Sequence, residues 1–193
     1  MGALPPSVSP RSALSAGIRV DLRPADAGDV HAIATLHAES WRRHYRGAFS
    51  DAYLDGDVYE DRRTIWSQRL TAPDPADVTV VADADGALLG FAHTILDDDP
   101  EWGALLDNLH VSPDARRMGL GGRLMAASAA AVLARGQNTG LFLWVLEGNL
   151  AAQAFYDAIG GRYAGREEFE PPGGGRIVGL RYVWPDPSVL LLD

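Results

Sequence analysis

The segment Arg116-Arg117-Met118-Gly119-Leu120-Gly121-Gly122-Arg123-Leu124 holds the densest chemistry in the chain. Glycines between a strand and a helix let successive backbone N–H groups turn toward one point, and the helix behind them adds its positive end. Both favour a phosphate. Three arginines, Arg116, Arg117 and Arg123, add full charges suited to a polyanion. The same residues also suit a glycine-rich helix entry with solvated arginines, so both readings stand on this segment alone. The spacing is not the dinucleotide fingerprint: Gly119-Leu120-Gly121-Gly122 does not give G-x-G-x-x-G, and the strand before it ends a meander instead of opening a βαβ unit.

Absences narrow the chemistry further. The 193 residues include no cysteine and no lysine, so all 17 basic residues are arginine. This excludes a disulfide framework, a thiolate nucleophile and Cys-based metal sites. It also excludes a Schiff-base lysine and the Walker-type P-loop. His31, His37 and His93 do not form a metal-ligand pattern, and no metal is expected. The net charge of −9 argues against broad nucleic-acid binding and favours cationic partners. The apolar runs fall short of the roughly 20 residues that span a bilayer, so no membrane partner is expected. Residues 1–17, with Pro5, Pro6 and Pro10 and no apolar core, read as a disordered tail and not a signal peptide, which makes the cytoplasm the expected location.

The elements that must position this chemistry can be read from periodicity. Residues 18–23 alternate as a strand, stopped by Pro24. Asp26 suits a helix N-cap, with Asp29 favouring the first turn, and residues 27–45 carry apolar positions at helical spacing. A turn at 46–50 leads to a shorter helical region, clearest at 61–70 and ended by Pro73 and Pro75. Strands follow at 78–82, 88–95 and 102–111, the first two joined at Asp85-Gly86. The helix after the glycine segment runs through Leu124, Ala127, Ala131 and Leu133 and closes near 138–140. A strand at 141–146, a helix at 149–159 capped by Gly160-Gly161, and strands at 162–169 and 176–183 complete the order. The fold class is α/β (α+β): a single domain over 18–184, with a mixed, mostly antiparallel sheet of about seven strands and about four helices. Residues 185–193 are left as a C-terminal tail without an assigned element.

Taken in order, these features resemble the GCN5-related N-acetyltransferase (GNAT) superfamily, as a small bacterial member. Arg116-x-x-Gly119-x-Gly121 after Leu109-His110-Val111-Ser112-Pro113 is similar to the superfamily's motif A. Asn149 through Gly161 resembles its N-x-x-A-x-x-F-Y-x-x-x-G segment, and Ser40-Trp41 with Tyr45-Arg46-Gly47 resembles its first helix. The resemblance spans about residues 18–184.

The resemblance implies an acyl-CoA-dependent N-acyltransferase, with acetyl-CoA or another acyl-CoA as donor and a small-molecule amine as acceptor. It implies a splay between the fourth and fifth strands that takes the pantetheine arm along Leu109, His110 and Val111. The pyrophosphate is expected on the N–H groups of Arg117, Met118, Gly119, Leu120, Gly121 and Gly122, with Arg116 in reach. Asn149 matches a residue touching the cofactor arm, and also suits a helix N-cap. Tyr156 matches the catalytic tyrosine that protonates the departing thiolate; a phenol of pKa about 10 is protonated at neutral pH. Trp41 and Tyr45 are expected near the acceptor, as is Asp107, which alternation puts on the face of Leu109 and Val111 with His110 opposite. Asp107, His110, Glu39 and Glu147 are the candidates for a general base, beside a water relay. N-terminal protein acetyltransferases of the family carry Glu where this chain has Trp144. An acyl-CoA-binding module without turnover and a protein acetyltransferase remain the alternatives, and a homodimer is compatible with the family.

Overall fold

The structure, a computed structural model, describes residues 19–136 and 140–191. The expected tail at 1–17 and part of the helix-closing turn at 138–140 lie outside the described residues. Strand β1 (Asp21–Pro24) leads into a 3-10 turn (Ala27–Asp29) and helix α1 (Val30–His44). Helices α2 (Asp51–Asp55) and α3 (Val58–Thr71) follow, then strands β2 (Asp77–Ala84), β3 (Ala87–Asp99) and β4 (Gly103–Val111). Helix α4 (Leu120–Arg135), strand β5 (Leu141–Leu146), helix α5 (Leu150–Ala158) and strands β6 (Arg162–Phe169) and β7 (Ile177–Trp184) complete the core.

The seven strands form one sheet in the order β1-β2-β3-β4-β5-β7-β6. Neighbours are antiparallel except β4 and β5, which are parallel. This is the expected mixed sheet, with five α-helices instead of about four. The difference is the short helical region after α1, which divides into α2 and α3 because Ser50 caps Tyr53 N–H with its side chain and Gly56 ends the turn. Pro24 does not stop β1 but is its last residue, opposite Val80; the strand lies at the sheet edge, where a missing N–H is tolerated. Within segment 185–193, left unassigned above, Pro187–Leu191 forms a 3-10 turn in which Pro187 is buried, and Leu190 packs on the main core.

Burial divides by sheet face. On one side α4 and α5 set Leu124, Met125, Val132 and Tyr156 against Ala92, Leu106, Leu143 and Val145. On the other, α1 and α3 set Ile33, Leu36 and Trp66 against Val81 and Phe91. Adjacent residues Phe91 and Ala92 therefore serve opposite cores, which explains why β3 reads as a nearly continuous apolar run. The entry to α1 is tied down by a capping box, in which Asp26 accepts from Gly28 N–H at 2.7 Å and donates its own N–H to Asp29 at 2.9 Å. Arg23 grips the same Asp29 through two hydrogen bonds of 2.7 and 2.8 Å, and their joint effect holds that carboxylate's pKa low despite burial.

Candidate active site

The site begins where the sheet stops pairing. β4 and β5 are partners only at Ala104↔Leu141 and Leu105↔Phe142. Beyond Leu105, β4 stays on β3 as far as Gly90↔Val111, while β5 stays on β7 as far as Leu146↔Gly179. A gap opens between them, and the β5-facing main chain of Leu109, His110 and Val111 borders it. Such an edge can pair with an extended ligand as a strand would. Leu109 and Val111 pack their side chains toward the α4–α5 core.

Alternation along β4 breaks at Asp107. Thr94 pairs with Leu106 and His93 with Asn108, so Asp107 is the extra residue of a β-bulge. The expectation that Asp107 shares a face with Leu109 and Val111 is corrected accordingly. Asp107 turns to the α1–α3 side, where Arg69 of α3 holds it at 2.8 Å and Asn108 Nδ2 donates to it at 2.6 Å. His110 also faces that side, its ring 4.7 Å from His37 and its Nδ1 2.9 Å from Ser40 Oγ. Burial pushes the His110 pKa down to about 4, with Asp107 opposing the shift, so the ring is neutral at neutral pH.

The glycine segment forms a concave run of backbone. Arg117 (φ 65°) and Gly119 (φ 71°) take left-handed conformations on either side of Met118, an alternation that turns successive N–H groups inward. The first helical hydrogen bond of α4 runs from Arg123 N–H to Gly119 O at 3.1 Å, leaving the N–H groups of Leu120, Gly121 and Gly122 without a helical acceptor. Positions 119 and 122 have open space where a Cβ would project, whereas a Cβ on Gly121 would meet Phe155 Cζ at 3.2 Å. The donor set fits a pyrophosphate. Two of the three arginines are already engaged: Arg116 meets His44 Nε2 at 2.9 Å, and Arg123 donates to Val20 O at 2.8 Å.

Helix α5 closes the gap from the other side. Asn149 Oδ1 accepts from Ala152 N–H at 3.2 Å, so it is the N-cap, and its amide N–H₂ is not used in that bond. Tyr156 is buried against Phe155, Tyr182 and Trp184. Burial pushes its hydroxyl pKa up, and the nearby Tyr45 hydroxyl pushes it further, so the phenol keeps its proton. Tyr45 caps the C-terminus of α1, and burial with Asp107 beside it raises its own pKa to about 12. Trp41, Tyr45, Phe49 and Tyr53 form a connected run of rings there, and Arg62 lies over Trp41 at 4.2 Å.

Of the remaining base candidates, Glu39 is exposed and Glu147 is exposed with Arg166 at 3.4 Å. Sequence reasoning missed Arg62, Arg69 and Arg181, whose roles depend on contacts between distant elements. The β6–β7 loop reaches the first helices, as the family resemblance implies for the acceptor side. A Cβ on Gly173 would lie 2.7 Å from Ser50 Oγ and 2.8 Å from Tyr53 Cβ. The run Pro171-Pro172-Gly173-Gly174-Gly175 signals that loop in the sequence.

Comparison with known proteins agrees with this geometry. The profile of the acetyltransferase (GNAT) family matches residues 38–160. The uncharacterized N-acetyltransferase YuaI of Bacillus subtilis (strain 168) is 29% identical over 173 residues, 89% of this chain and 96% of that protein. The PaiA N-acetyltransferase of Thermoplasma acidophilum, solved in complex with coenzyme A, superposes with a TM-score of 0.63 at 19% identity, covering 84% of this chain and 98% of that one. The ribosomal-protein-S18-alanine N-acetyltransferase of Escherichia coli gives 0.60 at 24% identity, covering 87% and 94%. An N-acetyltransferase of Staphylococcus aureus Mu50 gives 0.66 at 18% identity, covering 88% and 99%. With a sheet that parts between β4 and β5, a backbone nest at the head of α4 and a family profile spanning both, this chain belongs to the GNAT family of N-acetyltransferases.

Proposed function

We propose that this protein is a cytoplasmic enzyme that transfers an acetyl group from acetyl-CoA to the primary amine of a small molecule, by direct attack within a ternary complex. The observation that carries the proposal is the end of β4–β5 pairing after Leu105↔Phe142, flanked by the nest at 117–119 and by Tyr156. Bound acetyl-CoA supplies the thioester carbonyl and a thiolate leaving group. The free edge of β4 at Leu109 and Val111 holds the pantetheine arm, and the N–H groups from Arg117 to Gly122 hold the pyrophosphate. Asn149 has amide hydrogens left for the arm. Tyr156, kept protonated by burial, donates its proton to sulfur as the C–S bond breaks and the new N–C bond is complete, and the proton that the nitrogen sheds on becoming an amide returns to the phenolate through water.

The amine must lose a proton before it attacks. Asp107 is bound to Arg69, and His110, with its pKa near 4, is a weak base. The reading therefore gives that proton to water. Trp144 in place of the family's N-terminal-acetyltransferase glutamate favours a small acceptor over a protein N-terminus. The test is a panel of amines with acetyl-CoA, followed by release of free CoA thiol; the protein has no cysteine to add background. Turnover on at least one amine supports the reading. No acetyl-CoA binding by calorimetry at millimolar concentration refutes it.

A further inference from the structure

Several charges on the acceptor side of the gap are held in ion pairs. Asp107 is held by Arg69 at 2.8 Å, Arg62 by Asp61 at 2.8 Å, and Arg181 has Glu167 at 3.9 Å. Glu168, on the same hairpin, has Arg176 at 3.2 Å.

The aromatic surface there is held in place, and Trp144 is half-buried. Trp144 lies two residues past the last β4–β5 pair, so on the sheet face away from Tyr156 it stands across the gap from Asp107. Arg181, its cross-strand partner, stacks on the indole at 4.5 Å, and Phe169 meets it edge-on at 4.9 Å. Gly179 makes room for both: a Cβ there would lie 2.6 Å from Phe169 and 3.2 Å from Trp144. Trp102 also lies against Arg181 at 4.7 Å, which helps fix the guanidinium and through it the indole. The β6–β7 loop reaches the first helices, where Gly173 abuts Ser50 and Tyr53.

We infer that the acceptor is a monoamine with a flat, uncharged aromatic body that stacks on Trp144, and not a polycation. This rests on the acetyltransferase reading above. A guanidinium already occupies one face of the indole, so a second cation on the ring meets repulsion and a neutral ring does not.

The test compares 2-phenylethylamine, 2-cyclohexylethylamine and spermidine as acceptors, by kcat/KM from CoA release and by calorimetric binding to the CoA-loaded protein. The phenyl compound is expected to exceed its saturated analogue by about three- to tenfold, the scale of one aromatic pair, and to exceed spermidine by a wider margin. Trp144→Ala removes the phenyl preference with acetyl-CoA affinity unchanged, and Trp144→Phe retains part of it, which also covers the case in which the alanine variant does not fold. Spermidine as the best acceptor, or a phenyl preference that survives Trp144→Ala, overturns the inference. Acetyl-CoA binding with no bound or acetylated aromatic amine overturns it too, while leaving the acetyltransferase reading intact. Absence of acetyl-CoA binding instead overturns that reading itself.

Discussion

Replacing Gly122 with alanine separates a phosphate cradle from an ordinary helix entry. Gly122 is the third residue of α4, its φ is negative, and no atom lies within 4 Å of the position a Cβ would take. For the fold alone, Gly122→Ala is favourable. It removes backbone freedom from the unfolded chain and stabilises by about 0.4–1 kcal/mol, which raises Tm by roughly 1–4 °C for a chain of this size. For the site, the change is harmful. Every Cα–Cβ bond in a helix tilts toward the N-terminus, so the new methyl leans into the space above the free N–H groups of Leu120, Gly121 and Gly122. Losing one hydrogen bond to a charged phosphate costs about 1.5–3 kcal/mol, which is roughly a 10- to 100-fold loss of affinity. The assay is a thermal melt of the free protein beside calorimetric titration of acetyl-CoA. The expected outcome is opposite signs: a more stable protein that binds more weakly. A variant that is stabilised and binds acetyl-CoA as the parent does would refute the placement of the pyrophosphate at this helix end.

Tyr156→Phe should lower kcat by about 10²–10⁴-fold with acetyl-CoA affinity unchanged; equal turnover in the two proteins removes Tyr156 as the acid. Acid should destabilise the fold through its buried histidines. Burial holds the pKa of His37, His93 and His110 below the ordinary value, so between about pH 6.5 and 4 the unfolded chain binds more protons than the folded one. Stability is then complete above the unfolded pKa and falls as pH drops, by up to ~1.4 kcal/mol per pH unit for each histidine; urea midpoints that do not change from pH 7 to 4.5 contradict this. Gly161→Ala places a Cβ 2.6 Å from Trp184 Cζ2 and 2.8 Å from Tyr156 O, and should cost about 1–3 kcal/mol, visible as a lower melting temperature.

The parts of the fold legible in the sequence are those set by local periodicity. β5 and β6 fall at the expected residues, and α5 ends at Gly160 with its left-handed φ of 82°, because alternation, helical spacing and a C-terminal glycine act within a few residues. The nest was legible for the same reason. Arg117 shows the limit: nothing in an arginine announces a φ of 65°, a conformation an L-residue adopts only when its surroundings require it. Asp107 shows another. Its side changes because β4 bulges against β3, and the register of a partner strand is not written in the alternation of β4 itself. The charge pairs depend on tertiary contact in the same way. Arg69 and Asp107 lie on α3 and β4, and only packing of that helix across the sheet makes them partners.

These departures from regularity coincide with the site, and the reason is physical. A continuous ladder satisfies every backbone donor and acceptor and has none left for a ligand. Here the ladder between β4 and β5 lasts two residue pairs, and what it leaves unpaired is the edge beside Leu109 and Val111. A regular helix start would point its N–H groups along one axis; the left-handed residues at 117 and 119 add donors from the loop and bring them round to the same point. The bulge at Asp107 moves a carboxylate from the α4–α5 face of β4 to the α1–α3 face, where Arg69 pairs with it. On the proposed function, donor binding is thereby carried by main-chain groups, and a chain without lysine and with Arg116 and Arg123 committed elsewhere would hold a pyrophosphate in that way. On the same proposal, selection of the acceptor falls instead to side chains, the fixed rings around Trp144 and Tyr45. The two halves of the proposed reaction then rest on different parts of the sequence, and substitutions on the acceptor wall are expected to change what is acetylated without disturbing the donor's cradle.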